Sequence, residues 1–143
     1  MKVTKEITFD CAHMLSNYEG KCSNLHGHTY RLQVTLDGNV NSNTYMLLDF
    51  NELKEVLNET VMNSFDHALI VSGAEIREEA EDELLNWAIK HDKKFFALEF
   101  GKTTCENIAP YIKQMISDEL FERDIHCTVS VRLWETPTSF AEC

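Results

Sequence analysis

The sequence HGHTYRLQVTLD, residues 26–37, alternates two kinds of side chain with a period of two. Its even-numbered positions carry histidine or an apolar residue from His26 to Leu36, and its odd-numbered positions are mostly polar. A period of two places the two sets on opposite faces of a β-strand. The turn signal Asp37-Gly38-Asn39 ends the segment. These residues therefore predict a long strand whose buried face begins with two histidines.

Four other segments have strand-like patterns. Ile7 to His13 predicts an earlier strand, and Ile125 to Glu135 predicts a last strand whose apolar face ends in a carboxylate. Phe95 to Phe100 is consistent with a short strand. Because Tyr45 to Leu48 closely follows the turn, we expect it to return beside residues 26–37 as the second half of a hairpin.

Apolar residues at helical spacing predict three helices. Asp49 with Glu52 three residues later is a capping-box pattern, and the apolar stripe that follows runs from Phe50 to Val61. The Glu-rich stretch from Ala74 to His91 is expected to be helical from about Glu81 onward.

The third helix, predicted over residues 108–120, has an unusual start. Thr103 and Glu106 form a second capping-box pattern, which would place Pro110 inside the helix. A proline there removes a backbone hydrogen bond at a cost of about 3 kcal/mol, so we expect a kink or a later start. Together the strands and helices predict an α+β domain, an antiparallel sheet with helices on one face.

The charge balance excludes some classes of partner. The chain has 143 residues, which suits one domain, and its 13 Lys+Arg against 24 Asp+Glu give a formal net charge of −11. Binding to nucleic acid or to anionic membranes depends on clustered cations, so we expect neither as a partner. A phosphorylated small molecule is compatible with this charge only at a locally basic spot.

The five cysteines predict free thiols. Their number is odd and their spacing is scattered, which is not typical of a disulfide framework. The amino terminus, MKVTKE, lacks the apolar core of a signal peptide, and no long apolar run follows it. We therefore expect a cytoplasmic protein.

His26 and His28 predict a metal site. Two residues apart on a strand, their Cα atoms lie about 6.6 Å apart, so both imidazoles can reach one ion. His13 adds a third imidazole on the apolar face of another strand, where an unsatisfied polar group is costly. Three histidine ligands are typical of a catalytic zinc with one open position, although isolated His-x-His pairs are more often surface or hydrogen-bonded histidines.

Three further features each have more than one interpretation. Cys22, four residues before His26, is a thiol that a nearby metal could help to deprotonate, or else a fourth zinc ligand or a small buried residue. Glu135 could accept planar donors of a heterocycle, or turn to solvent at the end of its strand. The pair Asp66-His67, taken alone, is most often a surface turn or a charge at a helix end.

Five motifs that occur in order along the chain point to a known family. They are His13, Cys22-x-x-x-His26-Gly27-His28, Phe65-Asp66-His67, Thr103-Thr104-Cys105-Glu106-Asn107 and Trp134-Glu135-Thr136-Pro137-Thr138-Ser139. From about residue 3 to its end, the chain resembles the 6-pyruvoyltetrahydropterin synthase family. The three-residue gap between Cys22 and His26 is similar to that of the bacterial 6-carboxytetrahydropterin synthase branch.

This resemblance implies the tunnelling fold (T-fold), a four-stranded antiparallel sheet with two main helices packed on one face. Residues 1–143 would form a single T-fold domain with a longer acidic helical insertion at about 71–100. By the same resemblance, subunits join through their sheets into trimeric barrels, and two trimers form a homohexamer with active sites between subunits.

The resemblance also implies a metal and a set of catalytic groups. Cys22 would be the base that moves protons on the substrate side chain, and Asp66 with His67 would complete a proton relay. The residues that would bind Zn²⁺ are His13, His26 and His28.

Substrate contacts are implied in the same way. Glu135 would anchor the amino-pyrimidine edge of a pterin triphosphate. The residues that would assist it are Thr103, Thr104 and Glu106, of which Thr103 and Glu106 are also the predicted helix caps. Lys21, with Arg31 or Lys102, is expected to neutralise the triphosphate.

The implied reaction converts 7,8-dihydroneopterin triphosphate to 6-carboxy-5,6,7,8-tetrahydropterin, with release of acetaldehyde and triphosphate, in queuosine biosynthesis. One alternative is a sister enzyme that eliminates triphosphate to make 6-pyruvoyltetrahydropterin. Another is a non-enzymatic domain whose zinc is structural and has Cys22 as its fourth ligand.

Overall fold

The computed structural model describes all 143 residues, from Met1 to Cys143. The strands are β1 (Lys2–His13), β2 (His26–Asp37), β3 (Ala68–Val71), β4 (Phe95–Ala97), β5 (Thr128–Thr136) and β6 (Ser139–Glu142). The helices are α1 (Phe50–Leu57), α2 (Asn63–Phe65), α3 (Glu79–Lys90) and α4 (Cys105–Glu122). A π-helical segment, Asn58–Met62, joins α1 to α2, and a 3-10 turn, Lys21–Ser23, precedes β2. None of these helices combines the length and apolar character that a membrane crossing requires.

The six strands form one mixed sheet in the order β4-β3-β1-β2-β5-β6. The pairs β1–β2, β2–β5 and β5–β6 are antiparallel, whereas β3 is parallel to β1 and β4 is parallel to β3. The predicted α+β class is confirmed, but the predicted four-stranded antiparallel sheet is wrong. The cause is the shortness of the added strands: β3 is a run of four apolar residues, which cannot show a period of two. α3 is the helix that was expected from about Glu81, and it begins at Glu79.

Residues 45–48 do not form the predicted returning strand. They belong to a loop in which the Tyr45 N–H donates to the Asn41 carbonyl at 2.8 Å and the Asn41 N–H donates to the Met46 carbonyl at 2.8 Å. Tyr45 has φ 57°, which is incompatible with an extended strand. Both edges of β2 are already paired, with β1 and β5, so the sheet has no position beside β2 for a hairpin partner.

The start of α4 also differs from its prediction. Thr104 is the residue that precedes the first helical turn, and Pro110 lies inside the helix. The predicted capping box of Thr103 with Glu106 and the later start are therefore wrong. Because Pro110 and Glu106 are both exposed, water can hydrate the Glu106 carbonyl that Pro110 leaves without a backbone donor.

The hydrophobic core lies between one face of the sheet and helices α1, α2 and α4. The start of α1 agrees with its prediction, since the Asp49 carboxylate accepts a hydrogen bond from the Asn51 N–H at 2.7 Å. None of the 23 core residues comes from α3, which contacts β3 instead. His13 and His28 lie on the same sheet face as the buried rings of Phe9 and Tyr30, so the histidines continue the core at its end.

Phe65 offers a test of this packing. Its ring is fully buried, with centroids 5.9 Å from Phe9 and 4.4 Å from Phe96, and so connects the end of α2 to two strands. Phe65→Ala is expected to lower the free energy of unfolding by about 3–5 kcal/mol, because it leaves a cavity. Urea unfolding at fixed protein concentration measures this, and Phe121→Ala, at a ring that is 71% exposed, is the matched control. A loss below about 1 kcal/mol for Phe65→Ala would contradict the packing described.

Candidate metal centre and active site

Three imidazoles meet at one end of the sheet. His13 ends β1 and pairs in register with His26 at the start of β2, and His28 shares a face with His26. The ring centroids are 4.5 Å apart for His13 and His26, 5.3 Å for His13 and His28, and 4.9 Å for His26 and His28. One ligand nitrogen from each ring lies within 4.8 Å of the other two. The predicted convergence of these side chains is confirmed.

The Nε2 atoms of all three imidazoles are buried and have no hydrogen-bond partner. In His13, Nδ1 lies 2.7 Å from the Thr103 carbonyl oxygen, and in His26, Nδ1 lies 2.8 Å from the Asn24 carbonyl oxygen. A carbonyl can only accept, so each of these Nδ1 atoms donates its hydrogen and leaves the lone pair on Nε2. Buried nitrogens without partners are costly, and one bound cation would satisfy all three. The group therefore fits a metal ion.

Burial also favours the protonation state that a metal requires. Burial lowers the pKa of His13 and of His28 below the ordinary histidine value, and the neighbouring His26 lowers both further. The Glu135 carboxylate opposes this effect without reversing it. At neutral pH these two imidazoles are therefore uncharged, and the uncharged ring is the form that binds metal ions.

Glu135 reaches the histidines from β5. Its Oε1 lies 3.7 Å from the Nε2 atoms of His13 and of His28, and the Tyr30 hydroxyl donates to the same oxygen at 3.3 Å. Burial raises the pKa of Tyr30, so this hydroxyl stays protonated and remains a donor. The Glu135 side chain is 30% exposed. It therefore does not simply turn to solvent. It lies beside His13, His26 and His28, the metal group, with part of its surface open to solvent.

Thr103 supports the metal group from the segment before α4. The residue is fully buried, and its hydroxyl donates to the Met14 carbonyl at 3.1 Å while its own carbonyl accepts from His13. The hydroxyl and the carbonyl of Thr103 thus both hold the end of β1 in place. Contact between Thr103 and a substrate stays a prediction.

The other two residues that are predicted to assist Glu135 are more exposed than Thr103. Thr104 is half-buried and Glu106 is exposed. Glu106, Glu135 and Cys105 line one cavity of about 100 Å³ at the edge of β6. Burial raises the pKa of Cys105 to about 11, so this thiol is protonated at neutral pH. Its Sγ donates a hydrogen bond to the Leu133 carbonyl.

Cys22 and Lys21 lie in the 3-10 turn between β1 and β2. The Cys22 carbonyl accepts from the Leu15 N–H at 2.8 Å, which closes this loop, and the Cys22 side chain is half-buried. The group of close ligand atoms contains only the three imidazoles, so the structure does not support Cys22 as a fourth ligand.

The three cations considered for a triphosphate have different surroundings. Lys102 donates to the Ser16 carbonyl at 3.0 Å, and Arg31 stacks on Trp134 at 3.9 Å from the ring centroid. Lys21 is exposed beside Cys22. Of the three, Lys21 is therefore the cation that is both open to solvent and next to the predicted base.

Asp66 and His67 form a second group with Asp10, a residue that no sequence pattern indicates. Asp66 Oδ1 accepts from the Asp10 N–H at 3.1 Å and lies 3.0 Å from His67 Nδ1. His67 has φ 59°, and its N–H donates to the Asp10 carbonyl at 2.6 Å. Because Asp10 and His13 have opposite parity on β1, this group lies on the sheet face away from the imidazoles. Cys22 is not a member of it, so the structure does not bring the predicted relay together within one chain.

Lys94 fixes the backbone of this second group. Its ammonium group donates to the Met62 carbonyl at 3.1 Å, at the end of the π-helical segment, and to the Asp66 carbonyl at 2.6 Å, just after α2. The hydrogen bond from Asp10 lowers the pKa of Asp66, and the nearby His67 and Lys94 also lower it. The carboxylate is therefore ionised at neutral pH and can orient His67. The sequence offers no signal for Lys94, which is one of two consecutive lysines.

A cavity of about 580 Å³ lies beside this second group. Its lining includes His67, Lys93 and Trp87, together with His28 from the metal group. Small-molecule sites commonly have volumes of about 300–1,000 Å³. The cavity is thus large enough for a ligand, and residues from both groups border it.

Comparison with known proteins gives a family match over nearly the whole chain. A family model described as 6-pyruvoyl tetrahydropterin synthase matches residues 2–143. A Haemophilus influenzae protein named 6-carboxy-5,6,7,8-tetrahydropterin synthase is 39% identical over 145 residues, which cover 99% of this chain and 96% of that protein. A Rickettsia bellii protein of the same name is 32% identical, with 99% of each chain covered.

Solved structures show the same fold at lower sequence identity. The 6-pyruvoyl tetrahydropterin synthase of Plasmodium falciparum has a TM-score of 0.74 at 22% identity, over 100% of this chain and 96% of that one. An uncharacterised protein of Wolinella succinogenes has a TM-score of 0.79 at 20% identity, over 100% and 97% of the two chains. With a family match over nearly its whole length, this chain belongs to the 6-pyruvoyl tetrahydropterin synthase family.

Proposed function

We propose that this protein is a zinc-dependent lyase that makes 6-carboxy-5,6,7,8-tetrahydropterin from 7,8-dihydroneopterin triphosphate, with release of acetaldehyde and triphosphate. Loss of triphosphate breaks a C–O bond, which is the carbon–oxygen lyase step, and release of acetaldehyde breaks a C–C bond of the side chain with uptake of one water. The observation that carries the proposal is the set of three buried, unpartnered Nε2 atoms of His13, His26 and His28. The relatives named 6-carboxy-5,6,7,8-tetrahydropterin synthase support the choice of product. The reaction belongs to queuosine biosynthesis and would take place in the cytoplasm.

The histidines supply the ligands, and the rest of the chain moves protons. When bound, zinc would act as a Lewis acid on the side-chain hydroxyls of the substrate and make the adjacent C–H more acidic. Cys22 would remove and return protons at the substrate side chain as general base and acid. Asp66, ionised and hydrogen-bonded to Asp10, would hold His67 for the second proton transfer.

Glu135 would orient the pterin. Its carboxylate can accept two parallel N–H donors from the amino-pyrimidine edge, a bidentate arrangement that also fixes ring direction. Thr104 and Glu106 would contact the ring from the segment that opens α4, and Thr103 would do so or act through His13. Lys21 would neutralise part of the triphosphate charge, which the net charge of −11 otherwise disfavours.

The active site would be shared between copies of this chain. Cys22 and the pair Asp66-His67 are not in one group, and the cavity at Glu135 has only about 100 Å³, less than a pterin pocket requires. Both observations support the family arrangement, a homohexamer formed as a dimer of trimers. In that assembly each chain would be one T-fold domain, with residues 71–100 as an acidic helical insertion.

One incubation tests the proposed reaction. Purified, zinc-loaded protein is mixed with 7,8-dihydroneopterin triphosphate, and every product is identified by mass, with acetaldehyde measured separately. The proposal predicts 6-carboxytetrahydropterin and acetaldehyde in equal amounts. Formation of 6-pyruvoyltetrahydropterin without acetaldehyde would assign the sister activity, and an unchanged substrate would favour a structural zinc domain.

A further inference from the structure

The acidic segment contains one carboxylate that is not solvated. Glu81 in α3 is 1% exposed, whereas Glu79 and Glu83 in the same helix are exposed. A buried carboxylate is strongly unfavourable unless hydrogen bonds or a cation satisfy it. Glu81 forms no ion pair, and the nearby Arg77 pairs with Asp82 instead. Its burial therefore depends on hydrogen bonds.

Two donors from distant parts of the chain satisfy Glu81. The Ser16 hydroxyl donates to Oε2 at 2.5 Å, and the Ser72 N–H donates to Oε1 at 3.0 Å. Ser16 and Ser72 are themselves buried. Hydrogen bonds to a charged acceptor are among the stronger ones in proteins, so this carboxylate holds the two segments together.

Ser16 belongs to the loop that carries Cys22. The residue before it, Leu15, donates its N–H to the Cys22 carbonyl at 2.8 Å, and the Ser16 carbonyl accepts from Lys102 at 3.0 Å. Asn17 makes a second contact with the acidic segment, since its side-chain amide donates to Glu78 at 2.5 Å. The loop between β1 and β2 is thus attached to the start of α3 at two consecutive residues.

We propose that Glu81 is a positioning residue that sets the place of Cys22 relative to the three imidazoles, through Ser16 and the pairing of Leu15 with Cys22. The acidic segment is then a part of the active-site scaffold, because its one buried carboxylate fixes the loop of the proposed base. This inference rests on the proposed function for the role of Cys22, but the contact with the loop can be tested separately.

The test compares Ser16→Ala and Glu81→Gln with Glu83→Gln, a control that removes the same charge from an exposed site on the same helix. In each holoprotein, the rate of Cys22 alkylation by iodoacetamide is measured by peptide mass, with the exposed Cys143 as internal reference. Ser16→Ala and Glu81→Gln are expected to raise the relative alkylation rate about tenfold, since the loop loses a charge-assisted hydrogen bond. Glu83→Gln is expected to leave it unchanged.

Kinetics give the second readout. In Ser16→Ala, kcat is expected to fall about tenfold or more with zinc content unchanged, because the base is displaced while the metal site is intact. KM is expected to change less than kcat, since Lys21 is the one proposed substrate contact in the same turn. If Glu81→Gln does not fold, Ser16→Ala alone decides. Alkylation and kcat that match Glu83→Gln would overturn the inference. A wild-type protein without turnover would instead refute the proposed function, and the alkylation rates would still decide whether Glu81 holds the loop.

Discussion

Replacing His28 by alanine is expected to remove the bound metal and the activity together. The variant loses one of three ligands, so the amount of zinc retained after dialysis should fall about tenfold or more. Turnover should fall on the order of a thousandfold. The physical reason is that the two remaining imidazoles cannot hold the ion against water. Elemental analysis of the dialysed protein and the product assay measure the two effects.

A histidine away from the site provides the control for this change. His126 is 68% exposed and pairs with Asp124 at 3.0 Å, far in sequence from the metal group. His126→Ala is expected to keep both zinc and turnover. Full zinc retention in His28→Ala would contradict the assignment of His28 as a ligand.

Replacing Cys22 by alanine is expected to separate metal binding from catalysis. The thiol is outside the group of close ligand atoms, so Cys22→Ala should keep its zinc. Turnover should fall by about 10²–10⁴-fold, the usual contribution of a positioned acid–base group. The two effects are measured on one preparation, by elemental analysis and by product formation.

The same substitution decides between an enzyme and a structural zinc domain. If Cys22 completed a closed four-ligand site, Cys22→Ala would release zinc and lower stability. Cys143→Ala, at an exposed thiol, is the matched control and is expected to change neither property. Zinc loss in Cys22→Ala alone would refute the role of Cys22 as base.

The long strands could be predicted from the sequence because their information is local. Residues 26–37 show a period of two over their whole length, and β2 has the predicted bounds. In β1, His13 shares its parity with the apolar residues Ile7 and Phe9, which predicts that it lies on the buried face of its strand, as the His-x-His pair does in β2. Three imidazoles on one apolar face then required a common partner, which is why this site was accessible to sequence reasoning.

The rest of the sheet depends on contacts between distant segments. β3 has four residues, too few to show alternation. β4 lies within the short strand predicted over Phe95 to Phe100, but no local pattern indicates that β3 and β4 join the sheet in parallel. The hairpin predicted for residues 45–48 was wrong for a related reason, since β5, about 80 residues further on, takes the position beside β2. Strand pairing of this kind is decided by packing of the whole domain.

The supporting residues of the site were not predictable for the same reason. Glu81 is one glutamate in a run of acidic residues, and only the approach of Ser16 and Ser72 distinguishes it. Asp10 and Lys94 fix Asp66 from two other segments. Such contacts have no periodicity or spacing along the chain, so they become visible only in three dimensions.

The most direct measurement is the zinc X-ray absorption spectrum of the purified protein. Three imidazoles with one open position predict three nitrogen ligands at about 2.0–2.1 Å, one further oxygen from water or substrate, and no sulfur. Variants of His13, His26 or His28 should each lose this signal. A sulfur shell at about 2.3 Å would show a thiolate ligand and contradict the all-imidazole centre.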